Sequence, residues 1–424
     1  RRFSYAEIDD RTARLARILH ERGLGTHTER AELTGFQSGQ SHLGLYLTNG
    51  NEYLEGMLGA YRARVAPFNV NYRYVADELV YLLTNSRAAA VMYHAQFGPT
   101  LAAALDRLPP TLLIHVDDQS GLPPIPGAHR YEDLLAGSSS APLNLPYSPD
   151  DLYVLYTGGT TGMPKGVLWR QNDIYLNAMG GRAFGTGERV SSLDEIVDRA
   201  RAGGPGSLSC APLMHGAAQW SAFSALCSGR KFVMSQTTSH FDAEEAWRLA
   251  GRERVGSMLI VGDAFGRPLA DALEAIDLDT CDLSALNAVI SGGALFSTGV
   301  KQRLLARLPQ LSMIDAGGSS ESGAQMGQIT SATAAGTGRF TPNPGAVVVS
   351  ADLSRVLAPG DDEVGWLAQQ GLVPLGYLDD PAKTAATFPV IEGIRHSVPG
   401  DRARWDADGG IELLGRDSVT INSG

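Results

Sequence analysis

Between Tyr156 and Gly166 the chain reads YTGGTTGMPKG, and these are residue types that hold an anion. Gly158, Gly159 and Gly162 let successive backbone N–H groups turn inward, Thr157, Thr160 and Thr161 add hydroxyl donors, and Lys165 adds a positive charge at the exit. The chemistry this favours is a grip on a phosphate chain. On composition alone, a Gly/Thr turn with a solvated lysine is the plain alternative. The run Leu152, Tyr153, Val154, Leu155, Tyr156, bounded by Asp151 and by glycine, has the pattern of a buried strand that would carry this loop to a sheet edge.

Four other places hold residues fit for chemistry. Ser291, Gly292, Gly293 and Ala294 follow an expected strand and expose bare backbone that can lie edge-on to a flat base, or simply turn the chain into a helix. The stretch 315–323, DAGGSSESG, ends with hydroxyls beside the lone carboxylate of Glu321. That pair suits magnesium, a hard cation wanting oxygen, although a solvated serine-rich loop has the same composition. His215 precedes positions 216, 219, 220 and 223, which share one helical face and would line an apolar tunnel or, equally, a core. Asp401 can accept two hydrogen bonds from neighbouring hydroxyls, or serve as a turn carboxylate.

The elements that must position these residues alternate. A helix over 5–23 leads into strands at 43–47, 67–70, 88–93 and 112–116, with helices at 52–64, 76–85 and 100–108. After the glycine-rich loop, strands are expected at 208–211, 231–235, 257–261, 288–291 and 312–315, with helices at 217–227, 243–253, 264–276 and 298–308. Such alternation predicts an α/β fold of two doubly wound, mainly parallel sheets. From about residue 339 the texture turns to short β-like pieces at 346–350, 365–369, 402–405 and 410–414, read as a small distorted barrel. The expected division is a first α/β subdomain over 1–150, a second bearing the loop over 151–338, the β-rich part over 339–415, and a hinge from 416 to 424.

The net charge of −11 argues against nucleic acid or an anionic membrane surface as partner. Cys210, Cys227 and Cys281 show neither disulfide nor zinc spacing, and no apolar run approaches a membrane span. A cytoplasmic enzyme is the simple expectation, with a homodimer one permitted assembly.

The glycine-rich run is not the P-loop of nucleotide hydrolases, since Gly166 follows Lys165 where a magnesium-binding Ser or Thr would stand. It closely resembles the nucleotide-binding signature of the adenylate-forming enzymes: acyl-CoA synthetases, luciferases and peptide-synthetase adenylation domains. It departs at Gly158, where serine is commoner. The resemblance implies phosphate contacts from Thr157, Gly158, Gly159, Thr160, Thr161, Gly162 and Lys165, and an adenine site at Gly292, Gly293 and Ala294. It further implies Gly318, Ser319 and Ser320 near the phosphates, Glu321 as magnesium ligand, and His215 at the acyl pocket. Asp401 would lie on ribose, Arg416 near ribose and phosphate, and Asp417 would be the hinge pivot. Lys165, Thr161, Glu321 and His215 are the catalytic set on this reading. Gly317 stands where the family usually stacks an aromatic ring on adenine, a contact worth about 0.5 to 1.5 kcal/mol.

The implied activity consumes ATP, with Mg2+, to turn a carboxylic acid into acyl-adenylate and then, with coenzyme A, into acyl-CoA. YTGGTTGMPKGVLWR together with HGAAQW resembles a bacterial subgroup acting on fatty acids and sterol side-chain acids. Phe241-Asp242 is superficially similar to the segment with the amino-group-binding aspartate of peptide-synthetase domains, but an N-cap is the simpler reading. The alternatives are a fatty acyl-AMP ligase that loads a carrier protein, and a noncatalytic nucleotide-binding module. Family members continue into a mobile C-terminal domain bearing a further lysine, so residues 1–424 alone are expected to bind ATP but form adenylate poorly. Robust pyrophosphate exchange by that fragment would overturn this.

Overall fold

The computed structural model describes residues 1–158, 162–182, 187–334, 336 and 338–416. The chain divides into two compact units. The first comprises Arg1–Asn172, Leu213–His215 and Leu375–Thr384; the second comprises Asp173–Pro212, Gly216–Pro374 and Ala385–Gly424.

Among the described residues, the first unit carries an eight-stranded sheet. Its strands lie side by side as Gly376–Tyr377, Lys165–Arg170, Leu152–Thr157, Ala66–Asn69, His42–Tyr46, Ala88–His94, Leu112–Val116 and His129–Arg130. The pairs from Leu152–Thr157 onward are parallel, and the first two strands are antiparallel additions at one edge. Central strands buried on both faces read as continuous apolar runs, as Leu152 to Tyr156 does. The helix Tyr5–Glu21 begins in a capping box: the Ser4 hydroxyl accepts from the Glu7 N–H at 3.2 Å and the Glu7 carboxylate accepts from the Ser4 N–H at 2.7 Å. Its buried face, including Leu15 and Leu19, meets the helix Asn51–Arg62 at Gly59, where a Cβ would lie 2.7 Å from Leu15 Cδ2. At the foot of Leu152–Thr157, Asp151 receives two bonds from the buried Arg64 guanidinium, at 2.9 and 2.8 Å.

The second unit holds a fourteen-stranded sheet among the described residues. Its parallel part runs Ser312–Ser319, Ala288–Gly292, Val255–Ile260, Gly206–Ser209, Phe232–Met234, with the helices Gly216–Cys227, Ala243–Glu253, Gly262–Ala275 and Thr298–Arg307 between strands in sequence. A core of Trp247, Val255, Met258, Leu269, Val289 and Leu304 fixes the helices to that part. From Ser312–Ser319 the sheet continues antiparallel through Gly323–Thr330, Arg339–Pro342, Ile411–Arg416, Asp401–Trp405, Gly365–Gln370 and Ala346–Val349. Those strands enclose a separate apolar cluster of Met326, Val348, Leu367, Trp405 and Ile411.

Three features differ from the expected pattern. Lys165–Arg170 is a strand, so Thr157 and Lys165 face each other across a hairpin rather than standing within one long loop. The DAGGSS stretch is strand too: Ser312–Ser319 folds back on Gly323–Thr330, and Gly318 lets the two backbones approach closely at the Gly323 carbonyl. Gly376–Tyr377, within the β-rich part expected over 339–415, pairs with Val167 and Leu168 in the first sheet instead. No helix among the described residues is long and apolar enough to cross a membrane.

Candidate active site

In the first unit the glycine-rich segment joins two antiparallel strands. Tyr156 pairs with Gly166, and its ring lies across that glycine so closely that a Cβ there would be 2.9 Å from Tyr156 Cζ. Gly166 is thus required by packing, not by loop freedom. The Tyr156 hydroxyl donates to Asn85 Oδ1 at 2.7 Å, which locks the ring. Thr157 and Lys165 end the two strands as neighbours, and Lys165 Nζ lies 5.2 Å from the Tyr377 ring centre, a cation–π contact that aims the side chain. Gly158 and Gly162 are exposed, with open space where a Cβ would stand. Gly159, Thr160 and Thr161 lie outside the described residues.

His215 belongs to the first unit through the tripeptide Leu213–His215, although the chain on either side belongs to the second. Two asparagines hold that tripeptide. Asn49 Oδ1 accepts from the Leu213 N–H at 2.7 Å, and Asn69 Nδ2 donates to the Met214 carbonyl at 2.7 Å. His215 is exposed, yet the protein packed around it, and secondarily the Arg73 guanidinium, lowers its pKa and favours the neutral imidazole.

In the second unit, the expected adenine element and the expected phosphate element lie on adjacent parallel strands. Ser291 pairs with Asp315 and Gly292 with Ala316. Ser291 Oγ accepts from the Gly262 N–H at 2.9 Å, and the Asp263 N–H donates to the Leu295 carbonyl at 2.8 Å, so Gly292, Gly293 and Ala294 are held from below. Gly293 and Ala294 are exposed, and Gly293 takes φ +80°, which glycine adopts without strain. The strand beneath Gly318 is anchored by Lys301, whose ammonium sits 2.5 Å from the Asp315 carboxylate.

Ser320 and Glu321 occupy the hairpin tip between Ser319 and Gly323. Buried groups brace that tip on several sides. Asn177 Nδ2 donates to the Ser322 carbonyl at 3.2 Å while its Oδ1 accepts from the Ala324 N–H at 2.8 Å; Ser322 Oγ accepts from the Ser319 N–H at 3.1 Å and donates to Gln325 Oε1 at 2.8 Å. Ser397 Oγ donates to the Glu321 carbonyl at 2.6 Å. Only four residues later Asp401 opens its strand, with Arg416 as cross-strand partner, so the two expected ribose residues share one ladder rung. Asp417 lies outside the described residues. A carboxylate with a neighbouring hydroxyl offers hard oxygen donors, the set that magnesium takes in small number while keeping water. Among the described residues no group of three or more His, Cys, Asp or Glu could hold a metal ion by itself.

Gly317 pairs with Met326, and a Cβ on Gly317 would lie 2.6 Å from Met326 Cε. Methionine fills the volume next to the position where an aromatic ring was expected. The helix Gly216–Cys227 buries Gln219 and Phe223; Asp242 caps the helix Ala243–Glu253 by accepting from the Glu245 N–H at 2.9 Å. Asn49, Asn69, Asn177 and Ser397 were not among the residues singled out from sequence; each acts on a segment remote in the chain.

The chain is 54% identical over 427 residues to the medium-chain acyl-CoA ligase Mig of Mycobacterium avium, an alignment covering 100% of this chain and 77% of that protein. It is 38% identical to the 3-oxocholest-4-en-26-oate–CoA ligase of Rhodococcus rhodochrous, covering 100% of the chain and 75% of that protein. Among solved structures it resembles the anthranilate CoA ligase AuaEII bound to anthranoyl-AMP, with TM-score 0.78, 18% identity and coverage of 98% of this chain and 73% of that one. At that identity the likeness concerns the fold. The model of the family described as AMP-binding enzyme matches residues 1–372, most of the chain, and the chain therefore belongs to the AMP-binding enzyme family.

Proposed function

We propose that this protein activates a hydrophobic carboxylic acid, a medium-chain fatty acid or a sterol side-chain acid, as acyl-AMP and then transfers the acyl group to coenzyme A. The carrying observation is the 54% identity to a medium-chain acyl-CoA ligase along the whole chain, with a sterol side-chain acid ligase at 38%.

In this reaction a carboxylate oxygen attacks the α-phosphate of ATP and pyrophosphate leaves; the thiol of coenzyme A then attacks the acyl carbon and AMP leaves. Two anions must be held together, so catalysis is positioning plus electrostatics. In our reading the hairpin loop after Thr157 binds phosphate oxygens through its N–H groups and hydroxyls, and Lys165 neutralises charge spreading over them. His215, kept neutral, donates or accepts a hydrogen bond beside the acid without adding a competing charge. Gly292 to Ala294 meet the base, and Asp401 accepts from the ribose hydroxyls. Glu321 would hold magnesium, which would supply positive charge against the phosphate oxygens.

The test is AMP release by the full-length enzyme with ATP, coenzyme A and a panel of acids. Turnover with medium-chain fatty acids or 3-oxocholest-4-en-26-oate, and its absence with benzoate and amino acids, is expected. Preference for an aryl or amino acid would overturn the assignment of substrate class, and AMP release unchanged by coenzyme A would favour a carrier-loading ligase.

A further inference from the structure

The side chain of Asn69, at the end of the strand Ala66–Asn69, makes three hydrogen bonds in a dry setting. Its Oδ1 accepts from the Tyr156 N–H at 2.7 Å, and its Nδ2 donates to the Tyr156 carbonyl at 2.8 Å and to the Met214 carbonyl at 2.7 Å. Asn69 is 6% exposed, Tyr156 5% and Met214 4%, so water cannot replace any of the three. Both amide protons and the carbonyl are used, a set that aspartate, leucine or serine cannot reproduce. Tyr156 is one residue before Thr157, where the glycine-rich loop begins, and Met214 is one residue before His215.

We propose that Asn69 is a positioning residue for adenylate formation: it sets the spacing between the base of the phosphate-binding loop and the backbone that presents His215 to the acid. This rests on the reading in which that loop takes the phosphates of ATP and His215 borders the acid. The tripeptide Leu213–His215 contributes no strand to the sheet, so side-chain bonds must hold its place. Asn49 supplies one such bond, to Leu213, from a segment that His94 steadies by accepting the Thr48 N–H at 3.1 Å. Asn69 supplies the other, and its side chain also accepts from the Tyr156 N–H and donates to the Tyr156 carbonyl on the loop-bearing strand. A shift of about an ångström between reacting groups costs on the order of a hundredfold in rate, because in-line attack needs near-contact alignment.

A built-in control stands at the opposite end of the same strand. Gln40 Oε1 accepts from the Leu152 N–H at 2.7 Å and its Nε2 donates to the Arg64 carbonyl at 2.8 Å, the same kind of clamp with no tie to Met214. The experiment uses the full-length enzyme and measures acid-dependent pyrophosphate exchange per folded molecule, ATP affinity in the absence of acid, and the melting temperature. Asn69→Leu and the milder Asn69→Asp are compared with Gln40→Leu, and Lys165→Met is run alongside. In the Asn69 variants kcat is expected to fall at least tenfold while ATP affinity changes less than about threefold; Gln40→Leu is expected to lose comparable thermal stability with kcat within about twofold. If Asn69 and Gln40 variants behave alike while Lys165→Met is inactive, the positioning role is wrong and the reading of the loop stands. If Lys165→Met keeps full turnover, the reading of the loop fails and the inference falls with it.

Discussion

Acidification should destabilise the first unit through two buried imidazoles, and one substitution should remove half of the effect. His42 is 2% exposed; its Nδ1 donates to the Ser86 carbonyl, so Nε2 must accept from the Ser38 hydroxyl, 2.7 Å away. Burial lowers its pKa to about 4, with the Ser86 carbonyl and Asp379 opposing and Arg87 assisting. His94 likewise falls to about 4 through burial, with Asp118 opposing and His115 assisting, and its Nδ1 accepts the Thr48 N–H that protonation would displace. Because the unfolded value is near 6.5, the unfolded chain binds protons first as pH falls, and stability drops between about pH 6.5 and 4, with no further loss from these groups below that. The full separation corresponds to about 3 kcal/mol per histidine, and about 2 kcal/mol is already lost at about pH 5. The exposed carboxylates held to about 2, Asp282 and Asp352, titrate below this window. His42→Asn keeps a donor for Ser86 without a titrating group. Thermal melts of the full-length protein at about pH 7.5 and about pH 5 should show the variant losing about 4 to 8 °C less than wild type on acidification. Equal losses in the two proteins would refute the linkage.

Asp151→Ala should cost about 2 to 3 kcal/mol in urea unfolding because it leaves the buried Arg64 guanidinium with only the half-exposed Glu29 carboxylate as ion-pair partner, whereas Glu29→Ala, which keeps the buried Asp151 pair, should cost less than about 1 kcal/mol. Gly317→Tyr should lower the melting temperature rather than tighten ATP binding by calorimetry, since its Cβ meets Met326; pairing it with Met326→Gly should recover the stability. Lys165→Met and Glu321→Gln in the complete enzyme should each lower adenylate formation by about a hundredfold or more, and Glu321→Gln should also raise the magnesium concentration needed for half-maximal rate. Unchanged turnover in either would remove that residue from the proposed machinery.

Elements with a strong period of their own were legible in the chain. The helix Ala76–Asn85 and the strand Leu112–Val116 fall where pattern puts them, and the glycine stop of the first helix is Gly23 at φ +76°. What pattern could not carry is pairing across distance. Gly376–Tyr377 looks like any turn-rich stretch until Val167 and Leu168 are beside it, and Gly317 reads as a vacancy until Met326 is opposite. The site residues divide in the same way. Lys165 and Glu321 announce themselves by charge within a glycine- or serine-rich run. Asn69 and Asn177 are single amides in ordinary contexts, and their partners lie 87, 145 and 147 positions away along the chain.

The brief visit of Leu213–His215 to the first unit also matters to anyone recombining these enzymes. A crossover that imports 213–227 from a relative brings in a new helix Gly216–Cys227 together with two backbone atoms that must find resident amides. Donor segments taken with their own counterparts of Asn49 and Asn69 would keep the seam intact; those spliced without them would give well-folded hybrids with misaligned chemistry.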